Sequence, residues 1–247
     1  MGLGVSMEQL DTALSGPVAA IVFDDVGIGR VAALLEGLAD TDFTRDNLND
    51  LLATSHALED WRVGEALAEH YLCEHQSCHF PWPDGRDERK RGSSLPGADL
   101  VGFHHENDID RFAFGEVKTS GEASYPPGAA YGRHGLKQQM EDLRDRRDIR
   151  DGLVLYLAHR AAGAAWRGRF QAASAVYLRD TCDVRIFGLL VRDVSPHEND
   201  LRARVNGLGR GCPSAITIQL FAIYLPAGSI ATLASKVVAS RQDGGAV

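Results

Sequence analysis

The sequence predicts an α/β protein built around one central sheet, mixed in strand direction. Three observations carry that expectation. Apolar strand-like runs alternate with helical periodicities along the chain, two adjacent runs are joined by only a short polar turn, and an amphipathic helical stretch stands just ahead of them.

Taken in order, "PVAAIVFDDV" (17–26) is an apolar run closed by turn-forming acids and reads as a strand. "GRVAALLEGLA" (29–39) and "RDNLNDLLATSHAL" (45–58) read as helices on either side of a polar break. In "WRVGEALAEHYL" (61–72), Val63, Leu67 and Leu72 share a helix face, with Ala66 and Tyr71 beside it. The Pro, Gly and charge content of "FPWPDGRDERKRGSSLPG" (80–97) marks a long loop. Strands follow at "ADLVGFH" (98–104) and "DRFAFGEVKT" (110–119), joined by "HENDI". "SGEASYPPGAAYGRHG" (120–135) reads as a mobile loop or one that closes over a ligand. A helix at 136–148 and a buried strand at "GLVLYLAH" (152–159) come next. The remainder gives a helix near 164–178, a strand at 184–192, a helix from Pro196 to about 207, a strand at 215–225 and a helix near 229–240. No internal repeat or low-complexity linker interrupts this order.

Composition limits the function. A formal net charge of −8 excludes a basic protein that coats nucleic acid, so any grip on phosphate has to be local or supplied by a partner. Arginine does cluster, in "GRDERKRGSS" (85–94), "RDRRDIR" (144–150) and "HRAAGAAWRGR" (159–169). Its planar fork suits phosphate, although such runs also serve as solvated faces and helix ion pairs. Cys73, Cys78, Cys182 and Cys212 are too scattered for a disulfide framework, so free thiols and a cytoplasmic location are expected. No apolar run approaches the roughly 18 residues of a membrane span, and the start of the chain lacks the layout of a secretion signal. "MGLGVS" fits the loose myristoylation pattern through Gly2 and Ser6, a match that chance also produces in a Gly-rich and Ala-rich chain.

The chemistry concentrates in "FAFGEVKTS" (112–120). The chain has only four lysines, and Lys118 stands two residues from Glu116 in a run of strand-like residues. Side chains two apart on a strand face the same way, so Glu116 and Lys118 form one polar cluster. Antiparallel pairing with "ADLVGFH" would bring Asp99 to it. Two carboxylates and water suit Mg²⁺, which polarises a phosphoryl oxygen and activates water. Lys118 would orient or deprotonate that water, or stabilise charge on phosphorus.

This constellation resembles the PD-(D/E)XK nuclease superfamily. "PGADLVGF" supplies Asp99 as the first acid, and "FGEVKTS" supplies Glu116 and Lys118 as the E-x-K pair. The resemblance spans about residues 60 to 160. It implies a restriction-endonuclease-like core, a central mixed sheet flanked by helices, over 59–160. An N-terminal α/β extension (1–58) and a C-terminal α/β continuation of the same globule (161–247) would add to it. It further implies Glu65 as an upstream helical acid, with Glu69 competing for that place, and Gln138 or Gln139 on the following helix. Asp99, Glu116 and Glu65 would hold Mg²⁺ or Mn²⁺, with Lys118 and Gln138 completing the site. The expected activity is DNA phosphodiester hydrolysis. The "Q-x-x-x-Y" form of the downstream helix is absent, because Asp142 and Leu143 stand where Tyr would be. That departure puts an exonuclease-like role in doubt. The Gly-Glu helix and "GE-x-K" strand also look like the nuclease subunit of Hachiman-type antiphage systems, which implies a helicase or ATPase partner; a homo-oligomer is compatible with the sequence. The alternative is a nuclease-fold module that binds nucleic acid or protein without cutting.

Other motifs carry less. "HYLCEHQSCHF" (70–80) holds His70, Cys73, His75, Cys78 and His79, but in no familiar zinc spacing, which favours buried thiols and a helix-end histidine. "FDDVGIG" (23–29) reads as a turn and helix cap through its acids. "VNGLGRG" (205–211) leads into a strand, whereas a dinucleotide loop must open a helix. His134 reads as a solvated helix start.

Overall fold

The computed structural model describes residues 2–52, 58–83, 86 and 97–244. Its centre is a six-stranded sheet in the order β1-β6-β5-β4-β3-β2. The strands are β1 (Gly2–Gly4), β2 (Cys78–His79), β3 (Leu100–Glu106), β4 (Ile109–Ser120), β5 (Arg185–Arg192) and β6 (Thr217–Tyr224). β1, β6, β5 and β4 run parallel, while β3 is antiparallel to β4 and β2 to β3. The mixed α/β sheet expected from the sequence is therefore present. Central β5 is buried at every position, as a parallel strand covered on both faces must be.

Strand alternation divides the core in two. Phe112 and Phe114 of β4 point to one layer and Ala113 and Val117 to the other. The first layer is roofed by α6 (Leu136–Asp145), α7 (Arg147–Ala161), α8 (Arg167–Arg179) and α9 (Arg202–Gly209). The second packs under α1 (Met7–Ser15), α2 (Pro17–Val22), α5 (Asp60–His75) and α10 (Leu233–Gly244). Helices α3 (Asp25–Leu35) and α4 (Asp42–Leu52) bury no residue in either layer. Among the described residues no helix is long and apolar enough to cross a membrane.

Two expected strands are helices. Residues 17–22 of "PVAAIVFDDV" form α2, because Pro17 occupies the first helical position, where its missing N–H costs nothing. "GLVLYLAH" lies within α7: Leu153, Leu157 and Ala161, spaced by four, face the core, while Leu155 is exposed. A short apolar run has the same appearance in a buried strand and in a helix. The helix expected at 136–148 is split at Arg146, which has extended backbone geometry. Helix α1 went unread despite its signal: Ser6 and Gln9 form a reciprocal capping box. Much of the loop expected at 80–97, and residues 53–57 of the second helix, lie outside the described residues. Asp24 caps α3 by accepting from the Gly27 N–H, as the turn-and-cap reading held.

Loop 120–135 is anchored where it leaves β4. Arg192, fully buried, donates to the carbonyls of Ser120 (3.1 Å), Glu122 (2.8 Å) and Ser124 (2.9 Å). Asp200, equally buried, lies 3.5 Å from Arg192 and accepts from the Tyr224 hydroxyl at 2.9 Å. Removing one member of a buried pair leaves the other charge uncompensated. Arg192→Met is thus expected to cost about 3 kcal/mol, measured by denaturant unfolding. A cost under about 0.5 kcal/mol, the range of ordinary surface changes, would show that the anchor does not hold the loop.

Candidate active site

The site is built on the β3–β4 hairpin. Asn107 and Asp108, both at positive φ, form its tight turn, the geometry that matches the twist of the flanking strands. The resulting register pairs Leu100 with Gly115 and so sets Asp99, just before β3, opposite Glu116. The Asp99 carboxylate accepts the Val117 N–H at 2.8 Å, closing the open end of the pair.

Glu116 is 1 % exposed. One of its oxygens accepts from the Lys118 ammonium at 2.6 Å; the other, Oε2, is buried and meets no donor, and the protonated carboxyl hydrogen-bonds the Asp99 carboxylate beside it. Burial pushes its pKa up to about 8, and the neighbouring Asp99 charge adds to that, against the opposing pull of Lys118. Near neutrality the carboxyl is thus mostly protonated. Lys118 keeps part of its side chain at the surface, so its charge is only partly desolvated.

Glu116 and Lys118 face the layer roofed by α6, and α6 crosses the sheet at their level. A Cβ on Gly188, the lateral partner of Glu116, would lie 3.1 Å from the Met140 methyl. Of the two glutamines on α6, Gln138 is exposed and donates to Asp142 one turn on at 3.3 Å. Gln139 is half-buried, and its amide oxygen is buried without a partner. The helix therefore directs Gln139 inward and Gln138 outward.

Glu65 comes from the other layer, on α5. That helix approaches β4 closely at Gly64, where a Cβ would stand 1.9 Å from Thr119 Oγ1. Thr119 is β-branched and cannot swing aside. Gly64→Ala is expected to push α5 outward at a cost of about 1–3 kcal/mol, with Glu65 displaced. A thermal melt coinciding with that of the parent protein would contradict the close approach.

Glu65 and Glu69 share a cavity of about 90 Å³ with Asp99 and Arg62. Asp99 thus links the two carboxylate groups, touching Glu116's strand on one side and the Glu65 cavity on the other. Among the described residues no three His, Cys, Asp or Glu side chains stand close enough to hold a metal together. Asp99 and Glu116, two carboxyls held against each other with no donor on the Glu116 Oε2, nonetheless fit a hard divalent cation that would fill its remaining positions with water. The residues of "HYLCEHQSCHF" disperse: His70 pairs with Glu74 at 3.1 Å, and His79 packs against Phe103.

Sequence reasoning missed the buried Arg192, Asp200 and Tyr224 network that holds the loop after Lys118. Its only trace was an arginine ending an apolar strand. It also chose the outer of two adjacent glutamines, because helical phase is not defined by a single pair. Compared with known proteins, the chain matches no family model and no curated protein.

Proposed function

We propose that the protein is a metal-dependent nuclease that hydrolyses DNA phosphodiester bonds on a restriction-endonuclease-like core formed by α5, β2 to β5 and α6. The observation that carries this reading is Glu116. It is a buried carboxyl with one oxygen on Lys118, held against a second carboxyl, Asp99, which lies just before β3 and shares a hydrogen bond with it when Glu116 is protonated. A structural ion pair gains nothing from a second carboxyl pressed against the first, whereas a cation gains two oxygen ligands. When bound, Mg²⁺ or Mn²⁺ would neutralise the developing phosphoryl charge and activate water.

The chain's own residues divide the remaining work. Asp99 and Glu116 would hold the cation, and Glu65 on α5 lines the cavity that Asp99 also lines. Lys118 would supply positive charge to the phosphate as an ammonium or, as a neutral amine, take a proton from the attacking water. Gln139 takes the place on α6 that the resemblance reserves for a polar residue. The net charge of −8 suits an enzyme whose DNA is delivered by a helicase or ATPase partner, as in prokaryotic antiphage defence.

A second reading, a nuclease-fold module that binds without cutting, draws on the Lys118–Glu116 bond and on the lack of a three-carboxylate cluster among the described residues. Incubation of supercoiled and linear DNA with Mg²⁺ or Mn²⁺, with and without an ATPase encoded beside this protein, separates the two. Metal-dependent nicking or linearisation is the expected result. Intact DNA in every lane would favour the binding module.

A further inference from the structure

A second cleft, of about 530 Å³, opens beside the carboxylate cavity and shares Ile21, Asp24, Glu69, Phe80 and Pro83 with it as walls. Its size falls among small-molecule sites, roughly 300–1,000 Å³. Its lining combines Arg30, Arg86 and Arg169 with the carboxylates Asp24 and Glu69 and with aromatic and imidazole groups, unlike a packing defect in an apolar core. Arg86 is fixed by two hydrogen bonds of 2.7 Å to Asp24, and Arg169 lies 3.2 Å from Asp110. Arg30 is exposed and has no ion pair among the described residues.

Two of its lining residues carry a polar atom that lacks a partner and is closed off from solvent, so that a ligand meets it only when the side chain turns toward the cleft. Trp166 is 8 % exposed and its indole N–H has no acceptor; the Nδ1 of His79 is also unsatisfied. A buried donor without an acceptor is costly, and a ligand that supplies one recovers that cost. Burial and the Arg169 charge hold the His79 pKa below its ordinary value, so its ring is neutral and offers one donor and one acceptor. These are the groups that read the edge of a nucleobase, while the arginines suit its phosphate.

We propose that this cleft holds one unpaired nucleotide, its base against Phe80 with its polar edge toward Trp166 and His79, and its phosphate toward Arg30 and Arg169. The strand then runs on through the shared wall into the Asp99 cavity. The direction of the strand rests on the nuclease reading; the nucleotide site itself does not. The substrate class becomes single-stranded or frayed DNA, since a paired base cannot enter a cleft of this kind without leaving its stack.

The test is fluorescence anisotropy in EDTA, where no cleavage occurs. The probes are a labelled oligothymidylate, an abasic oligomer of equal length and a blunt duplex. The oligothymidylate is expected to bind about 10-fold more tightly than the abasic strand, from base contacts, and more tightly than the duplex. Arg30→Ala should weaken it several-fold, and Trp166→Phe, which keeps a benzene ring and removes the pyrrole ring with its N–H, should bring it toward the abasic value. Arg30 is at the surface, so its variant covers the case in which Trp166→Phe fails to fold. Competition by dTMP at the same concentration as the strand assigns the cleft to a free nucleotide; competition by the strand alone assigns it to DNA, and both support a nucleotide site. Equal binding of oligothymidylate and abasic strand, or binding unchanged in both variants, overturns it. Binding as expected without cleavage when Mg²⁺ is restored, both alone and with the ATPase encoded beside this protein, would remove the nuclease reading and leave the nucleotide site standing. Cleavage with no base preference would do the reverse.

Discussion

Glu116→Gln is expected to lower Mg²⁺-dependent DNA cleavage by about 10³-fold, and Lys118→Ala by about 10²–10³-fold, the scale of losing a group that stabilises transition-state charge. Glutamine matches the volume and hydrogen-bonding reach of the protonated carboxyl, so the fold should persist. What it cannot do is ionise toward a cation. Lys118 is partly exposed, and its removal takes away the ammonium that donates to Glu116 while leaving the Asp99 contact in place. Both effects are read from initial rates of plasmid nicking at saturating metal. A Glu116→Gln protein that cuts at the parental rate would remove this carboxyl from the reaction. Gln138→Ala should change the rate little, because its side chain faces solvent and Asp142, whereas Gln139→Ala should lower it.

Raising the pH is expected to destabilise the metal-free protein through the same residue. The folded Glu116 has a pKa of about 8, against 4.5 for an ordinary glutamate. A carboxyl that holds its proton more tightly when folded contributes stability that is fully present below pH 4.5 and is lost as the pH rises through about 8. The displacement corresponds to a contribution on the order of 4–5 kcal/mol, or roughly 10 °C or more in melting temperature for a chain of this size. Other groups titrate over the same interval, so the quantity to measure is the difference between the parent and Glu116→Gln. The two should melt together near pH 5, and the variant should melt higher at pH 9. Melting curves that stay parallel from pH 5 to pH 9 would mean that Glu116 is not held protonated by burial.

The central features of the site were legible because they follow from two-residue alternation. Glu116 and Lys118 share a face for any strand through 112–119, and the short turn after His104 leaves β3 little choice but to pair beside it. The opening helix of the site was also readable: α5 presents Val63, Ala66 and Leu67 to the core, and Gly64 permits contact with Thr119. Residues 17–22 and 152–159 were misread for a common reason. Each is a short apolar run with apolar residues on its exposed side as well, such as Ala20 and Leu155, which hides the periodicity that separates strand from helix. In both cases the deciding information was elsewhere, in Pro17 at a helix start and in the four-residue spacing of Leu153, Leu157 and Ala161 across a longer window. The Arg192–Asp200 pair joins residues from separate elements, so no local pattern could announce it.

The account depends on Asp99 and Glu116 forming one cation site with Lys118 beside it. Isothermal titration of Mn²⁺ at pH 7, repeated in two buffers of different ionisation enthalpy, addresses that directly. The expected result is a single site that releases close to one proton on binding, because Glu116 must ionise to accept the metal, and that is lost in both Asp99→Asn and Glu116→Gln. Binding that releases no proton and persists unchanged in the two variants would place the cation elsewhere and contradict the account.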